Sequence, residues 1–519
     1  MKIIKKCSAA LKFVWDHATY QRLLFVAVML ALLLSMSSFF SLNDPDYFWH
    51  YREGEYIFQN HSIAYGDRYS FSMPGFEWIN HEWASDTLMY AIERYLGTTA
   101  LSLWYVFLFA LTIWIVAASK KRKLNIIDFI VGVVGFGTLL EYVGVRQQMY
   151  TLLFFALLIY VLQKNRAKVL WFLPLLFAVW ANIHAGFTAG IAAFGLVVMY
   201  KLYLWFVDKS EEGKDWPVYV VTGLLSIAAT LLNPYGVRVY EVILMTLGDS
   251  YMTKYIDEWL SLLINVSNRY FVFLAVFLAL FSFKQAKESP YRHLILLIPF
   301  FFLLPWRSVK YVPYFVIIAI PYLLDTTDGL LSPSHIKHYK KVATSAVGLL
   351  PLAAFVLGGI FFIWPGILLE VRQSGYPSEA AVSALRSDPG ERVFNHYNWG
   401  GYLIRYVPEK KYFIDGRMPS WWDAQHYAFR DYVDFSNCTN AALILDDYKP
   451  DTIFWPVGEQ SVKYRLPEKM RKALEDPGKL IAKHLFGIEK GEDCVLLDEI
   501  KKLGWKSTYD DGNIIILKK

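Results

Sequence analysis

Long apolar runs alternate with short polar connections from residue 23 to residue 364. A helix needs about 20 mainly apolar residues to cross a hydrocarbon core, and on that criterion the pattern predicts about eleven spans. They fall near 23–42, 98–118, 125–143, 149–163, 168–184, 187–207, 216–233, 270–286, 292–306, 309–325 and 341–364. The stretch Ala84 to Gly97 differs. Leu88, Ile92 and Leu96 recur at helical spacing among polar residues, which predicts an amphipathic helix lying on a surface. Beyond residue 365 the chain becomes polar, mixed in charge and punctuated by Pro and Gly. Arg392-Val393-Phe394, Tyr412-Phe413-Ile414 and Thr452-Ile453-Phe454 predict strands, and Pro377 to Leu385 and Asp423 to Asp434 predict helices. Asp511-Gly512-Asn513 before Ile514 to Leu517 predicts a closing hairpin.

The basic residues add sidedness. Lys2, Lys5, Lys6, Lys12 and Arg22 precede the first run, which reads as an uncleaved signal anchor with the N-terminus in the cytoplasm. The connections that then face the cytoplasm contain Lys120-Lys121-Arg122-Lys123, Lys164 to Lys168, Lys209 to Lys214, Lys284 to Arg292 and Lys337 to Lys341. An odd number of spans places the tail outside. The expectation is an integral protein of the cytoplasmic (inner) membrane. Its transmembrane domain covers 1–365 with a long first outer loop at 43–97, and a small extracytoplasmic α/β domain covers 366–519.

Composition agrees with that picture. Of 519 residues, 55% are hydrophobic and 17% aromatic but only 19% charged, below the quarter or so usual for soluble chains. The net charge of +6 is spread over clusters beside apolar runs, which argues for membrane anchoring and against nucleic acid. Three cysteines cannot build a disulfide framework or a Cys-based zinc site; one Cys438–Cys494 bridge is left open.

The polar groups able to do chemistry all fall on the outer side. Asp44-Pro45-Asp46 reads equally as a helix start and as a source of a catalytic base or metal ligand. Glu82 supplies another carboxylate in the same loop. Asp44, Asp46 and Glu82 are the catalytic candidates, and the same oxygens are the set that would hold Mg²⁺ or Mn²⁺ with a substrate phosphate. No other cofactor is implied. Arg146, with Gln147 beside it, and Arg307 with Lys310 are outward cationic positions suited to a phosphate. His50, His81, Asn182, His184 and Glu258 are candidate walls of the site, with structural roles the alternative for Asn182 and His184. In the tail, Trp399, Gly400, Gly401, Asp415 and Arg417 read first as turn glycines and a loop salt bridge.

Several motifs, in order, resemble the GT-C superfamily of polytopic glycosyltransferases, and more narrowly a bacterial group of the same build. They are Asp44-Pro45-Asp46-Tyr47-Phe48-Trp49-His50 with Gly54, His81-Glu82-Trp83, Arg146-Gln147-Gln148 and Trp180 to Phe187. Asn233-Pro234-Tyr235-Gly236, Asn398 to Leu403 and Ile414-Asp415-Gly416-Arg417 complete the series. That group often has Pro where this chain has Gln147. The resemblance implies a GT-C-like polytopic α-helical fold and a sugar donor linked to polyprenyl phosphate or diphosphate. It also implies an acidic residue of the first loop acting on the acceptor, and inversion at the anomeric carbon. Both Asp44 and Asp46 match acidic positions, so the base is open between them.

The expected function is therefore transfer of a sugar from a lipid-linked donor to an extracytoplasmic acceptor, whether glycan, lipid or protein, among membrane lipids. The alternatives are a polytopic transporter or lipid flippase, and an envelope-assembly scaffold whose tail domain binds a partner.

Overall fold

The computed structural model describes residues 18–36, 44–120, 124, 126–139, 142–262, 296–326, 376–457 and 495–519. The chain divides into two compact units. The first comprises Met1–Leu42, His81–Val239 and Ser267–Gln373; the second comprises Asn43–Asn80, Tyr240–Val266 and Ser374–Lys519.

The first unit is helical, and here the expected eleven-span, GT-C-like architecture is corrected. Among the described residues only two helices are long and apolar enough to cross a membrane, Trp83–Ser119 and Phe187–Phe206. The apolar window of the first is more than half buried inside the protein. The other apolar helices that can be assessed, including Ile127–Gly137, Gln148–Gln163, Ala167–Trp180 and Val309–Leu324, run to 10–17 residues. That falls short of the roughly 20 residues a span requires. Their local chemistry explains the shortness. The run 168–184 breaks at Trp171 and Phe172 before a new helix, Leu173–Trp180, that starts with Pro174 in its first turn. Further on, the helix Leu297–Leu303 gives way to a 3₁₀ turn containing Pro305, and the helix Val312–Thr326 carries Pro321 within it. Proline lacks the N–H a helix interior needs. The expected spans at 270–286 and 341–364 lie outside the described residues. The amphipathic stretch and the span after it form one element, Trp83–Ser119, kinked at Gly97 (φ 85°, ψ 167°).

Lys120 also departs from its expected role as part of a surface anchor. Its Nζ lies 2.7 Å from Asp128 Oδ2 with both side chains buried, and Arg22 donates to the Lys120 carbonyl at 2.9 Å. Lys121 to Lys123 lie outside the described residues.

The second unit is a mixed α/β region around a five-stranded sheet of order β2-β1-β3-β5-β4. The strands are β1 Arg392–Asn395, β2 Lys411–Tyr412, β3 Thr452–Pro456, β4 Lys506–Asp510 and β5 Ile514–Lys518. β1 runs parallel to β2 and β3, and β5 runs antiparallel to β3 and β4. The helix Gly400–Tyr406 crosses from β1 to β2, and Ala428–Ser436 and Ala441–Tyr448 cross from β2 to β3. β3 and β5 are buried along most of their length, as their apolar runs require. β4 is a polar, exposed edge. The other edge is covered by residues from the 43–80 stretch. Ser70 bridges Tyr412, with Tyr412 N–H donating to Tyr69 O at 2.9 Å and Phe71 N–H to Tyr412 O at 3.0 Å. Cys438 is disulfide-bonded, and Cys494 lies outside the described residues.

Candidate functional site

In an open sheet with parallel strands, sites form outside the carboxyl ends of the strands, where successive connections diverge. Here the connection after β1 leads to β2 on one side, while β3 lies on the other. Asn395, the last residue of β1, ties the two adjacent connections together. Its Nδ2 donates to the Ile414 carbonyl at 2.8 Å and its Oδ1 accepts from Phe413 N–H at 2.9 Å. The 414–417 and 396–401 segments are thereby fixed at one end of the sheet.

Asp46 packs against both. The helix Asp46–Asn60 begins after Asp44, whose Oδ1 accepts from the Asp46 N–H at 3.0 Å. The Asp44 side chain thus holds the turn that leads into the helix, Pro45 stands at the helix start where a missing N–H costs nothing, and Asp46 is the first helical residue. Trp49, one turn on, donates its indole N–H to Asp46 Oδ1 at 2.8 Å. His50 lies on the same helix face and its ring sits against that of Trp49, with centroids 3.6 Å apart. A Cβ added to Gly401 would stand 2.4 Å from the Pro45 carbonyl, and one added to Gly416 would stand 1.7 Å from Asp46 Oδ1. At Gly401 a side chain would meet backbone, and at Gly416 it would displace the Asp46 carboxylate.

These surroundings set the charge of Asp46. Burial pushes its carboxyl up, the Asp44 carboxylate adds to that, and Glu258 contributes in the same direction. His50 and the Trp49 hydrogen bond act the other way, and the carboxyl comes to rest at about 7. Two phenols border the same charges. Tyr397 is held well above its ordinary value by burial and then by Asp46, Glu258 and Asp415. Tyr376 is raised by burial and then by Asp44 and Asp46, and its buried hydroxyl has no hydrogen-bond partner.

The 414–417 segment is held rigid by Arg417. Its guanidinium grips Asp415 with two hydrogen bonds, Nε to Oδ1 at 2.8 Å and Nη2 to Oδ2 at 2.7 Å, and Nη2 reaches Asp67 Oδ1 at 2.8 Å. Trp78, Trp421 and Tyr69 surround it within 4.9 to 5.1 Å of their ring centroids. The two carboxylates hold the guanidinium above its ordinary value against the opposing effect of burial. Arg417 and Asp415 thus fix the turn that carries Gly416 against Asp46.

The remaining candidates belong to the first unit. Glu82 Oε1 is 3.5 Å from His184 Nε2 and 4.0 Å from His81 Nε2. Asn182 joins the same neighbourhood by accepting from the Trp83 indole N–H at 2.9 Å, while its Nδ2 donates to the Leu232 carbonyl at 2.9 Å. Gln147 is buried and committed to its neighbours, with Oε1 accepting from Tyr105 at 2.9 Å and Nε2 directed to Asp86 at 3.4 Å. Arg146 is half-buried and Arg307 exposed. Tyr142 donates to the Val309 carbonyl at 2.9 Å, so the connection bearing Arg146 meets the one bearing Arg307 and Lys310.

Among the described residues there is no group of three or more His, Cys, Asp or Glu side chains that could hold a metal ion. Trp49 and Gly416 fall in the motifs but were not among the candidate site residues, although Trp49 lies at the helical spacing that brings it onto Asp46. No protein-family model matches the chain, and no curated protein matches it.

Proposed function

We propose that the chain transfers a sugar from a polyprenyl-phosphate-linked donor to a hydroxyl of an extracytoplasmic acceptor, inverting the anomeric carbon, with Asp46 as the base. The observation that carries this reading is the Asp46 carboxyl, raised to about 7 in a fixed setting at the carboxyl end of parallel strands. A base of that strength is substantially ionised near neutral pH and still able to take a hydroxyl proton as the new bond forms. In the step, the acceptor oxygen bonds to the anomeric carbon as the bond from that carbon to phosphate breaks. The acceptor proton goes to Asp46, and the polyprenyl phosphate leaves as an anion that needs no proton. Asp44 keeps the Asp46 carboxyl high and holds the Asp46 backbone N–H.

Within the first unit, the Tyr142–Val309 bond brings the connections bearing Arg146, Arg307 and Lys310 together, which makes them a candidate phosphate-binding group. The Cys438 disulfide supports an oxidising compartment for the acceptor chemistry. Purified protein incubated with polyprenyl-phosphate sugars and a hydroxyl acceptor is expected to release polyprenyl phosphate and form an inverted glycoside. Absence of donor turnover across hexosyl and pentosyl donors would count against the assignment.

A further inference from the structure

The first unit carries a surface that the chemistry at Asp46 does not use. Three of its helices, Leu173–Trp180, Phe187–Phe206 and Trp216–Ala229, pack together, the last against both others. Each leaves apolar side chains exposed at helical spacing, Leu175 and Val179 on the first, Met199 and Tyr203 on the second, Val221 and Leu224 on the third. Leu224 keeps 64% of its surface exposed. The one charged side chain on the three helices is Lys201, which is buried and lies 2.9 Å from Asp215 Oδ1. The outward faces of these helices therefore carry no charge, a poor surface to present to water.

At one end the chemistry changes. The helix Phe187–Phe206, one of the two long enough to cross a membrane, finishes in exposed Trp205 and Phe206. The connection 164–172 lies at the same end, because the Tyr219 phenol donates to Asn165 Oδ1 at 3.0 Å while the Phe206 and Trp216 rings meet at 5.4 Å. That connection brings exposed Lys164, Arg166 and Lys168, then Trp171 with 54% of its surface exposed, and holds no acidic residue. The neighbouring connection adds Lys209 and Lys214 but also Asp208, Glu211 and Glu212, so the uncompensated positive charge lies on 164–168. Charge-free flanks, an aromatic rim and cations beyond it follow the order of acyl chain, headgroup boundary and phosphate. A nucleic acid or an acidic protein segment would match the cations but leave the apolar flanks in water. We propose that this end of the first unit binds an anionic phospholipid. Lys164, Arg166 and Lys168 meet the headgroup, Trp171 and Trp205 lie at the boundary, and acyl chains cover the flanks. Such binding requires nothing of the transfer reaction.

The test is lipid retention by full-length, delipidated protein in detergent, read by native mass spectrometry in the absence of any sugar donor. Dioleoylphosphatidylglycerol is expected to bind about ten-fold or more tightly than dioleoylphosphatidylcholine, since each cation near an anionic headgroup adds about five-fold. Lys164→Gln/Arg166→Gln/Lys168→Gln should lose that preference and leave phosphatidylcholine binding unchanged. Lys501→Gln/Lys502→Gln, an exposed basic pair of the second unit, should bind both lipids as wild type does. Trp171→Ala should weaken both lipids alike, because the ring serves the boundary and not the charge. Glycerol 1-phosphate offers the same phosphate without acyl chains and should not compete at equal concentration. Equal retention of the two lipids, an unchanged preference in the triple variant, or full competition by glycerol 1-phosphate overturns the proposal. Should the triple variant fail to fold, Arg166→Lys is expected to keep the preference and Arg166→Gln to lose about five-fold of it. Equal behaviour of those two folded variants contradicts the proposal.

Discussion

Gly416 passes so close to Asp46 that a Cβ on the glycine would lie 1.7 Å from the carboxylate oxygen Oδ1. Two segments far apart in the chain thereby define one carboxyl position. Gly416→Ala is expected to push Asp46 off the Trp49 indole and to destabilise the second unit by about 1–3 kcal/mol, the range for overpacking a close contact. Thermal denaturation and donor turnover measure the two effects. An alanine variant with unchanged stability and turnover contradicts the close approach.

The raised carboxyl of Asp46 has a consequence for stability. In the unfolded chain the group titrates near the ordinary aspartate value of about 4. In the folded protein it titrates at about 7. The folded state therefore binds the proton more tightly, and the stability this confers is complete below about pH 4 and lost as pH rises through about 7. The loss is expected to be on the order of a few kcal/mol. Asp46→Asn should remove this pH dependence and make the protein more stable than wild type at pH 8. Denaturation curves at pH 4.5 and pH 8 check the sign.

Arg417 stands between two buried carboxylates, Asp415 and Asp67. Removing its charge leaves both without their shared partner, and Arg417→Ala is expected to cost about 3–5 kcal/mol. Arg417→Lys should recover only part of this, because an ammonium cannot reproduce the two-pronged grip on Asp415. Chemical denaturation of the two variants against Asp415→Asn separates charge from geometry.

The Lys120–Asp128 pair offers a test in the first unit. Each single change, Lys120→Met or Asp128→Leu, strands a buried charge and is expected to cost about 3–5 kcal/mol. The double variant should regain most of that loss, since an apolar pair of similar volume pays no desolvation. A double variant as unstable as the sum of the singles contradicts the buried pairing.

Some of this was readable in the sequence. The tail strands around Val393, Ile453 and Ile515 fall on short apolar runs bounded by turns, because a central strand buried on both faces has few other ways to be written. Asp44 and Asp46 stood out because Asp-Pro-Asp after an apolar run is a strong helix start. The number of spans was not readable. A hydropathy window counts apolar residues but not helix continuity, and the break before Pro174 and the 3₁₀ turn at Pro305 interrupt runs that look continuous by composition. Lys120 looked like an anchor because nothing local reveals that Asp128 closes on it. The constraint on Gly416 was not visible because the group that crowds it, Asp46, lies in a distant segment.

The most direct test of the central claim is the pH dependence of donor turnover in wild type, Asp46→Asn and Asp44→Asn. Wild-type turnover is expected to rise with pH through a midpoint near 7, as Asp46 ionises and becomes able to accept the hydroxyl proton. Asp46→Asn should lose about 10²–10⁴-fold, the usual contribution of a positioned base. Asp44→Asn should stay active with its midpoint moved to lower pH, because a negative neighbour that raises Asp46 is gone. Full turnover in Asp46→Asn, or an unmoved midpoint in Asp44→Asn, would contradict Asp46 as the base.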